Sequence, residues 1–306
     1  MTKTEVRRSI CSAVVYRAIL FGCAFLAAVL TMVVLLLPEP VNAATRIKVG
    51  DDTVLVIEDS DFDADTYNGW YSGIKIYKRD QLKAEIDRID IRSRKLPGSN
   101  EIYVDEATIK NFVEGASVSI GMLTAGNFRA GDVGYLSRNN FSNIISIIGD
   151  DFSMQIIDMA LSDKRFDISL ALFETLPISL SVLPSGHKFI GAGGFKINNL
   201  RMIPKSNQLL DLDTKKLREL VKTDYLQFSG AFAQSASLSK GRMSVQTGGR
   251  LDIQNVGVLA VTGKIQVSEA VAETLFATEK TNNSQLEKSR ESLLLAETDL
   301  VSAAVE

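Results

Sequence analysis

Twenty consecutive residues, Ala18 to Leu37, carry no charge, and this run divides the chain into two parts with different fates. As a helix rising ~1.5 Å per residue, it spans about 30 Å, the thickness of a bilayer's hydrocarbon core. Lys3, Arg7, Arg8 and Arg17 precede it, against the single acid Glu5. The positive-inside bias therefore keeps the N-terminus cytoplasmic and sends the C-terminal bulk across the membrane. Pro38 and Pro40 break the run, and Val41-Asn42-Ala43 has the small outer residues of a signal-peptidase site. Residues 1–43 thus read as a transmembrane signal-anchor helix or as a signal peptide cut after Ala43. On either reading the remainder folds outside the cytoplasm.

Both cysteines, Cys11 and Cys23, lie within this leader. The exported part has no disulfide or thiolate metal site to draw on, so its stability must come from its own apolar core. The leader holds four of the 34 basic and two of the 37 acidic residues, which leaves the remainder with a net charge of −5. A nucleic-acid partner, which needs a basic face for phosphate, is not expected.

Beyond the leader, period-two alternation dominates. Val54 and Val56, Ile74 and Ile76, then Ile86, Ile89 and Ile91, Ile102 and Val104, and Val118 and Ile120 mark successive strands. Asn68-Gly69 and Pro97-Gly98-Ser99-Asn100 supply turn residues, and Gly121 to Gly134 reads as a glycine-punctuated bend. Over 141–161 the spacing changes to three and four, through Ile144, Ile145, Ile148, Phe152, Ile156 and Ala160. With Ser142 as N-cap, this predicts a helix interrupted near Gly149.

From Phe166 the alternation returns. Phe166, Ile168, Leu170 and Leu172 form one strand face; Leu176, Ile178, Leu180 and Val182 follow a break at Glu174-Thr175; Phe195 and Ile197 come after a loop. Asp213 is placed to cap a short helix carrying Leu217, Leu220 and Val221, and Leu226 to Val267 reads as further short strands. From Ser268 to Glu306 there is no proline or glycine, and helix-favouring residues dominate, with Leu286, Leu293, Leu300 and Ala304 as an apolar stripe.

The expected organisation is a leader (1–43), a β-rich exported domain (44–267) and a helical tail (268–306). The fold class is mainly β with minor α: an elongated, curved antiparallel sheet with short inserted helices. Within it, Phe195 to Ile203 can be laid on Leu251 to Leu259 so that apolar places coincide and Asn199 falls on Asn255. This is either a repeated strand-bend-strand unit or the likeness that all alternating strands share.

Four polar or glycine-rich features invite chemistry. Asp59, Asp61, Asp63 and Asp65 alternate like calcium ligands. An EF-hand needs glycine at position six and glutamate at twelve; counting from Asp59 gives Ala64 and Trp70, and from Asp61 gives Thr66 and Ser72. The stretch is read as a solvated acidic turn. His187, in Pro184-Ser185-Gly186-His187, is the only histidine, so a multi-histidine metal site is excluded, and an exported hydrolase would depend on this one imidazole. Gly191 to Gly194 lacks a P-loop's lysine and helix and is read as a bend or bulge. Trp70, Tyr67, Tyr71 and Tyr77 are read as packing residues. No catalytic, cofactor-binding or metal-binding residue is assigned, and no cofactor is expected.

The segment Arg250-Leu-Asp-Ile-Gln-Asn-Val-Gly-Val-Leu-Ala-Val-Thr-Gly-Lys-Ile-Gln-Val267 pairs amphipathic strands about an Asn-Val-Gly bend. With one membrane span and a cysteine-free β region, it resembles the AsmA-like and YdgA-like envelope proteins of Gram-negative bacteria. The resemblance implies a long curved sheet whose apolar groove shields lipid acyl chains or supports envelope assembly, in a single-pass inner-membrane protein with a periplasmic C-terminal domain or a protein released to the periplasm. Candidate groove residues are Ile168, Leu170, Leu172, Ile178, Leu180, Phe195 and Ile197. The membrane and lipid are the expected partners, with an envelope protein as a further partner through 284–306.

Overall fold

A computed structural model describes residues 45–48, 52–63, 65–98, 102–130, 148–163, 166–205, 222–276 and 304–305. They form one curved, unclosed antiparallel sheet. Its strands are β1 (Thr45–Lys48), β2 (Thr53–Ile57), β3 (Asp59–Asp63), β4 (Asn68–Lys78), β5 (Gln81–Lys95), β6 (Ile102–Glu114), β7 (Val118–Ala130), β8 (Ile148–Ser162), β9 (Phe166–Val182), β10 (Lys188–Pro204), β11 (Leu226–Ser239), β12 (Arg242–Ile253), β13 (Gly257–Ser268) and β14 (Ala304–Val305). Neighbours in sequence are neighbours in the sheet, except that β2 passes to β4 and β3 pairs with β4 alone. The one described helix, α1 (Glu269–Phe276), follows β13 directly.

A transverse crease shapes the sheet. In a regular strand, residues two apart share a face. Across β4 to β10 the buried residues are instead three apart: Tyr71 and Ile74, Ile86 and Ile89, Ile109 and Phe112, Ile120 and Leu123, Leu170 and Phe173. These pairs lie opposite one another, Tyr71 on Ile89, Ile109 on Leu123, Ile156 on Phe173 and Phe173 on Ile197. The register is the same on both sides of the two-residue step on β4 to β9, so adjacent strands step together. On alternate strands the step contains a left-handed residue: Gly73, Asn111, Asp158 and Asn199, with φ of 59°, 51°, 52° and 51°. Glycine, asparagine and aspartate are the residues that enter this region at least cost. The crease ends at β11, where Ile197 pairs with Gly230 but Leu200 with Phe228, and the mismatch is taken up as a bulge.

The crease explains the chief departure from the sequence reading. Ile148–Ser162 is strand β8, not a helix, and 141–147 lie outside the described residues. Ile156 and Met159, both against the core, are three apart because Ile157 and Asp158 form the step, and three-residue spacing in a strand mimics a helix face. Similarly, β7 runs unbroken through Gly121 and Gly126 to Ala130, and β9 passes straight through Glu174-Thr175, where Thr175 Oγ1 accepts a hydrogen bond from the Met154 amide at 2.8 Å. Asn68-Gly69 opens β4 rather than forming the turn, which is Asp65–Tyr67.

The predicted helix near Asp213 lies outside the described residues, as does the Ala18–Leu37 run. No described helix is long and apolar enough to cross a membrane. The tail is not helical throughout: α1 covers 269–276, and Ala304, expected on a helix stripe, pairs with Ala260 of β13. The aligned stretches differ as well. Asn199 and Asn255 share a left-handed φ of 51° and 62°, but Asn199 is a kink inside β10 and Asn255 sits in the turn between β12 and β13.

The apolar residues gather on one face, called inner here. A main core runs from β2 to β10 and includes Ile57, Tyr71 and Ile89, all fully buried. A second, smaller core joins Leu183, Phe189, Ala236, Met243 and Val267 to Val271 and Ala272 of α1. The opposite face carries ion pairs, such as Lys75 with Glu58 at 2.6 Å, and Asp90 shared by Arg88 at 2.7 Å and Lys110 at 3.0 Å.

Candidate functional site

Between the two cores, the inner face of β10 to β13 keeps its apolar pattern but is only partly buried. Phe195 of β10, Phe228 and Phe232 of β11, Leu251 and Ile253 of β12, and Leu259 and Val261 of β13 share this face, and none of them is fully buried. The strip carries no charged residue: its other positions are Leu226, Gly230, Gly249 and Gly257. Rings line its floor. Phe173 stacks on Phe195 with centroids 5.9 Å apart, and Phe195 on Phe232 at 5.4 Å. Phe232 lies flat because its neighbour across the strand pair is Gly249, where a Cβ would come within 2.2 Å of the ring. The strip ends toward α1 at one polar row, Gln234, Thr247 and Gly263, with Gln234 exposed. Beyond that row the second core begins.

The seven residues proposed from sequence fall in different places. Leu170 and Ile197 belong to the main core, and Phe195 packs against it. Ile178 is buried, with its Cγ1 3.1 Å from where a Cβ on Gly193 would lie. Ile168, Leu172 and Leu180 are half-buried, and Leu172 sits in the crease opposite Ile157 and Asn198. Of the seven, Phe195 belongs to the open strip and Ile197, paired with Gly230, borders it. The aromatic and aliphatic residues of β11 to β13 escaped the sequence reading as site residues. Their alternation was plain, but alternation alone does not tell a covered face from an uncovered one. The available signal was glycine at Gly230 and Gly249 on the apolar face, where a packed strand places a side chain.

The remaining motifs resolve as structure. Asp59, Asp61 and Asp63 project from the exposed face of β3, while Ser60 and Phe62 are buried. Asp63 accepts hydrogen bonds from the Thr66 hydroxyl at 2.7 Å and the Asp65 amide at 2.8 Å, which hold its carboxyl below the usual range. Among the described residues no group of acidic and imidazole side chains is placed to hold a metal ion. Trp70 lies under the Arg88 guanidinium at 4.5 Å. Gly191 to Gly194 are strand residues of β10 at irregularities in its pairing with β9. On the charged face, a shallow notch of about 540 Å³ is lined by Glu58, Gly73, Lys75, Glu85, Asp87 and Asn111, and its polar groups pair with one another, Lys75 with Glu58 and Asn111 with Asp87.

His187 does acquire a serine and a carboxylate. Ser185 Oγ lies 2.6 Å from His187 Nδ1, and Glu273 Oε2 of α1 lies 3.6 Å from the same nitrogen. A Ser/His/acid triad places nucleophile and acid on opposite ring nitrogens. Here both oxygens converge on one, so the acid orients no base toward the serine. Glu273 Oε1 also accepts the Ser185 amide at 3.0 Å. The Ser185 hydroxyl chiefly, against the opposing effect of burial, lowers the Glu273 carboxyl below its ordinary range, with help from the Ser185 amide and His187. The cluster is a clamp that fastens α1 to the turn between β9 and β10. No family model, curated protein or solved structure matches this chain.

Proposed function

We propose that this is a non-enzymatic cell-envelope protein that binds lipid on the apolar face of its curved sheet. The reading rests on one observation: between the two buried cores, the inner face of β11 to β13 is apolar and uncharged yet only partly buried from Phe228 to Phe232 and at the facing positions. An apolar surface of this kind, continuous with a core, suits a hydrocarbon ligand or an interface. The leader in 1–43 supports a protein held at, or released across, the inner membrane with its β domain in the periplasm, where the ligand is at hand.

The test is lipid extraction and native mass spectrometry on the full chain purified from a bacterial envelope. Phospholipid that stays bound through detergent exchange supports the proposal. A well-folded protein without lipid overturns it and turns attention to the scaffold alternative, in which residues 284–306 recruit an envelope protein.

A further inference from the structure

The order of side chains along β11 to β13 fits one class of ligand in one orientation. We infer that the strip holds a single acyl chain of a phospholipid, with the ester linkage against Gln234 and Thr247 and the hydrocarbon running along β11 toward Phe228. The inference rests on the lipid reading above and adds the place and the direction.

Three features carry it. From Phe228 to Phe232 on β11, and at the facing positions of β12 and β13, the inner face offers no charge and no side-chain hydrogen-bonding group. A peptide partner would bring polar backbone that finds no match there, whereas a hydrocarbon chain asks for none. Next, the first polar side chains met on that face toward α1, Gln234 and Thr247, sit side by side, and this matches the polar end of an acyl ester. Finally, the strip is long enough: the six steps from Phe228 to Gln234 span about 20 Å at ~3.3 Å each, more than the ~15 Å that one leaflet of a ~30 Å hydrocarbon core requires. Beyond the polar row, α1 and the second core close the face, so the ligand's head leaves sideways rather than along the strands.

Two glycines, one on each face, provide the test. A Cβ on Gly263 or on Gly248 meets nothing within 4 Å, and neither residue has a left-handed φ. Gly263 is on the inner face beside Thr247, and Gly248, paired with Thr262, is on the opposite face. The full chain is reconstituted in vesicles of phosphatidylethanolamine and phosphatidylglycerol that contain phosphatidylcholine with an acyl-chain diazirine, irradiated, and mapped by peptide mass spectrometry. Label is expected on peptides holding Phe228 and Leu251, reduced about tenfold, ~1.4 kcal/mol of affinity, by Gly263→Leu and unchanged by Gly248→Leu. Label confined to Leu170 and Ile178 would overturn this placement and leave lipid binding standing. No label anywhere would remove both. Equal loss in the two variants would mean that fold, not the strip, had been disturbed, and would also overturn the placement.

Discussion

Tyr71→Phe removes one oxygen from the centre of the main core, and the structure fixes the sign of the result. Tyr71 is fully buried, stacks on Phe62 with centroids 5.1 Å apart, and its hydroxyl has no hydrogen-bond partner among the described residues. A buried hydroxyl without a partner costs about 1–3 kcal/mol in lost hydration. Phenylalanine keeps the ring and its packing, so the variant should gain roughly 1 kcal/mol, or about 2–4 °C in Tm for a domain of this size. Alkaline pH gives an independent check. Burial raises the Tyr71 pKa well above its ordinary value, so the folded state retains a proton that the unfolded chain releases above pH ~10. This contribution is fully present below pH ~10 and declines as pH rises beyond it, by about 1.4 kcal/mol per pH unit until the folded group titrates. Urea unfolding of wild type and Tyr71→Phe between neutrality and pH ~11 should show a small gap that widens on the alkaline side. A variant less stable than wild type at neutral pH would refute the reasoning, because it would show that the hydroxyl has a partner whose loss is felt.

Substitutions at two further positions probe α1 and the crease. Glu273→Gln should loosen α1, seen as faster hydrogen exchange of its amides while β4 to β9 are unchanged. In the wild type, the lowered Glu273 pKa keeps the clamp intact above the unfolded carboxylate range, and it is lost as pH falls through the folded value; the glutamine variant should lack that acid dependence. Asn199→Val places a β-branched residue at φ 51° and should cost about 1–2 kcal/mol or more, whereas Asn199→Gly should stay near wild type in thermal unfolding. Equal losses for the two would refute the role given to the left-handed residue.

Much of the sheet was legible because alternation is local and specific. Val54 and Val56, Ile102 and Val104, and Phe166 through Leu170 each named a strand without reference to any other part of the chain. What was illegible depended on pairing. Asp158 and Asn199 look like ordinary polar residues until their strands are set side by side. Only then do the three-residue intervals at Ile156 to Met159 and Ile197 to Leu200 become a crease rather than a helix face or an irregular strand. The candidate site failed for a related reason. Leu170 of β9 and Leu251 of β12 obey the same alternation, and what separates the sealed residue from the half-open one is the presence of cover, which no local pattern records. The Ser185, His187 and Glu273 clamp joins residues 88 positions apart, beyond any spacing rule.

The crease also bears on how this chain can change length. Because seven consecutive strands, β4 to β10, take their two-residue step at matched positions, deleting or inserting one residue within any of them shifts that step against both neighbours and turns its apolar set outward. Past the bulge at β10 and β11 the pairings from β11 to β13 run without a break, so whole hairpins can be gained or lost there without disturbing the crease. Length variation should therefore concentrate at the C-terminal end of the sheet, the end that carries the open strip, which gives one half of the molecule a fixed gauge and the other an adjustable one.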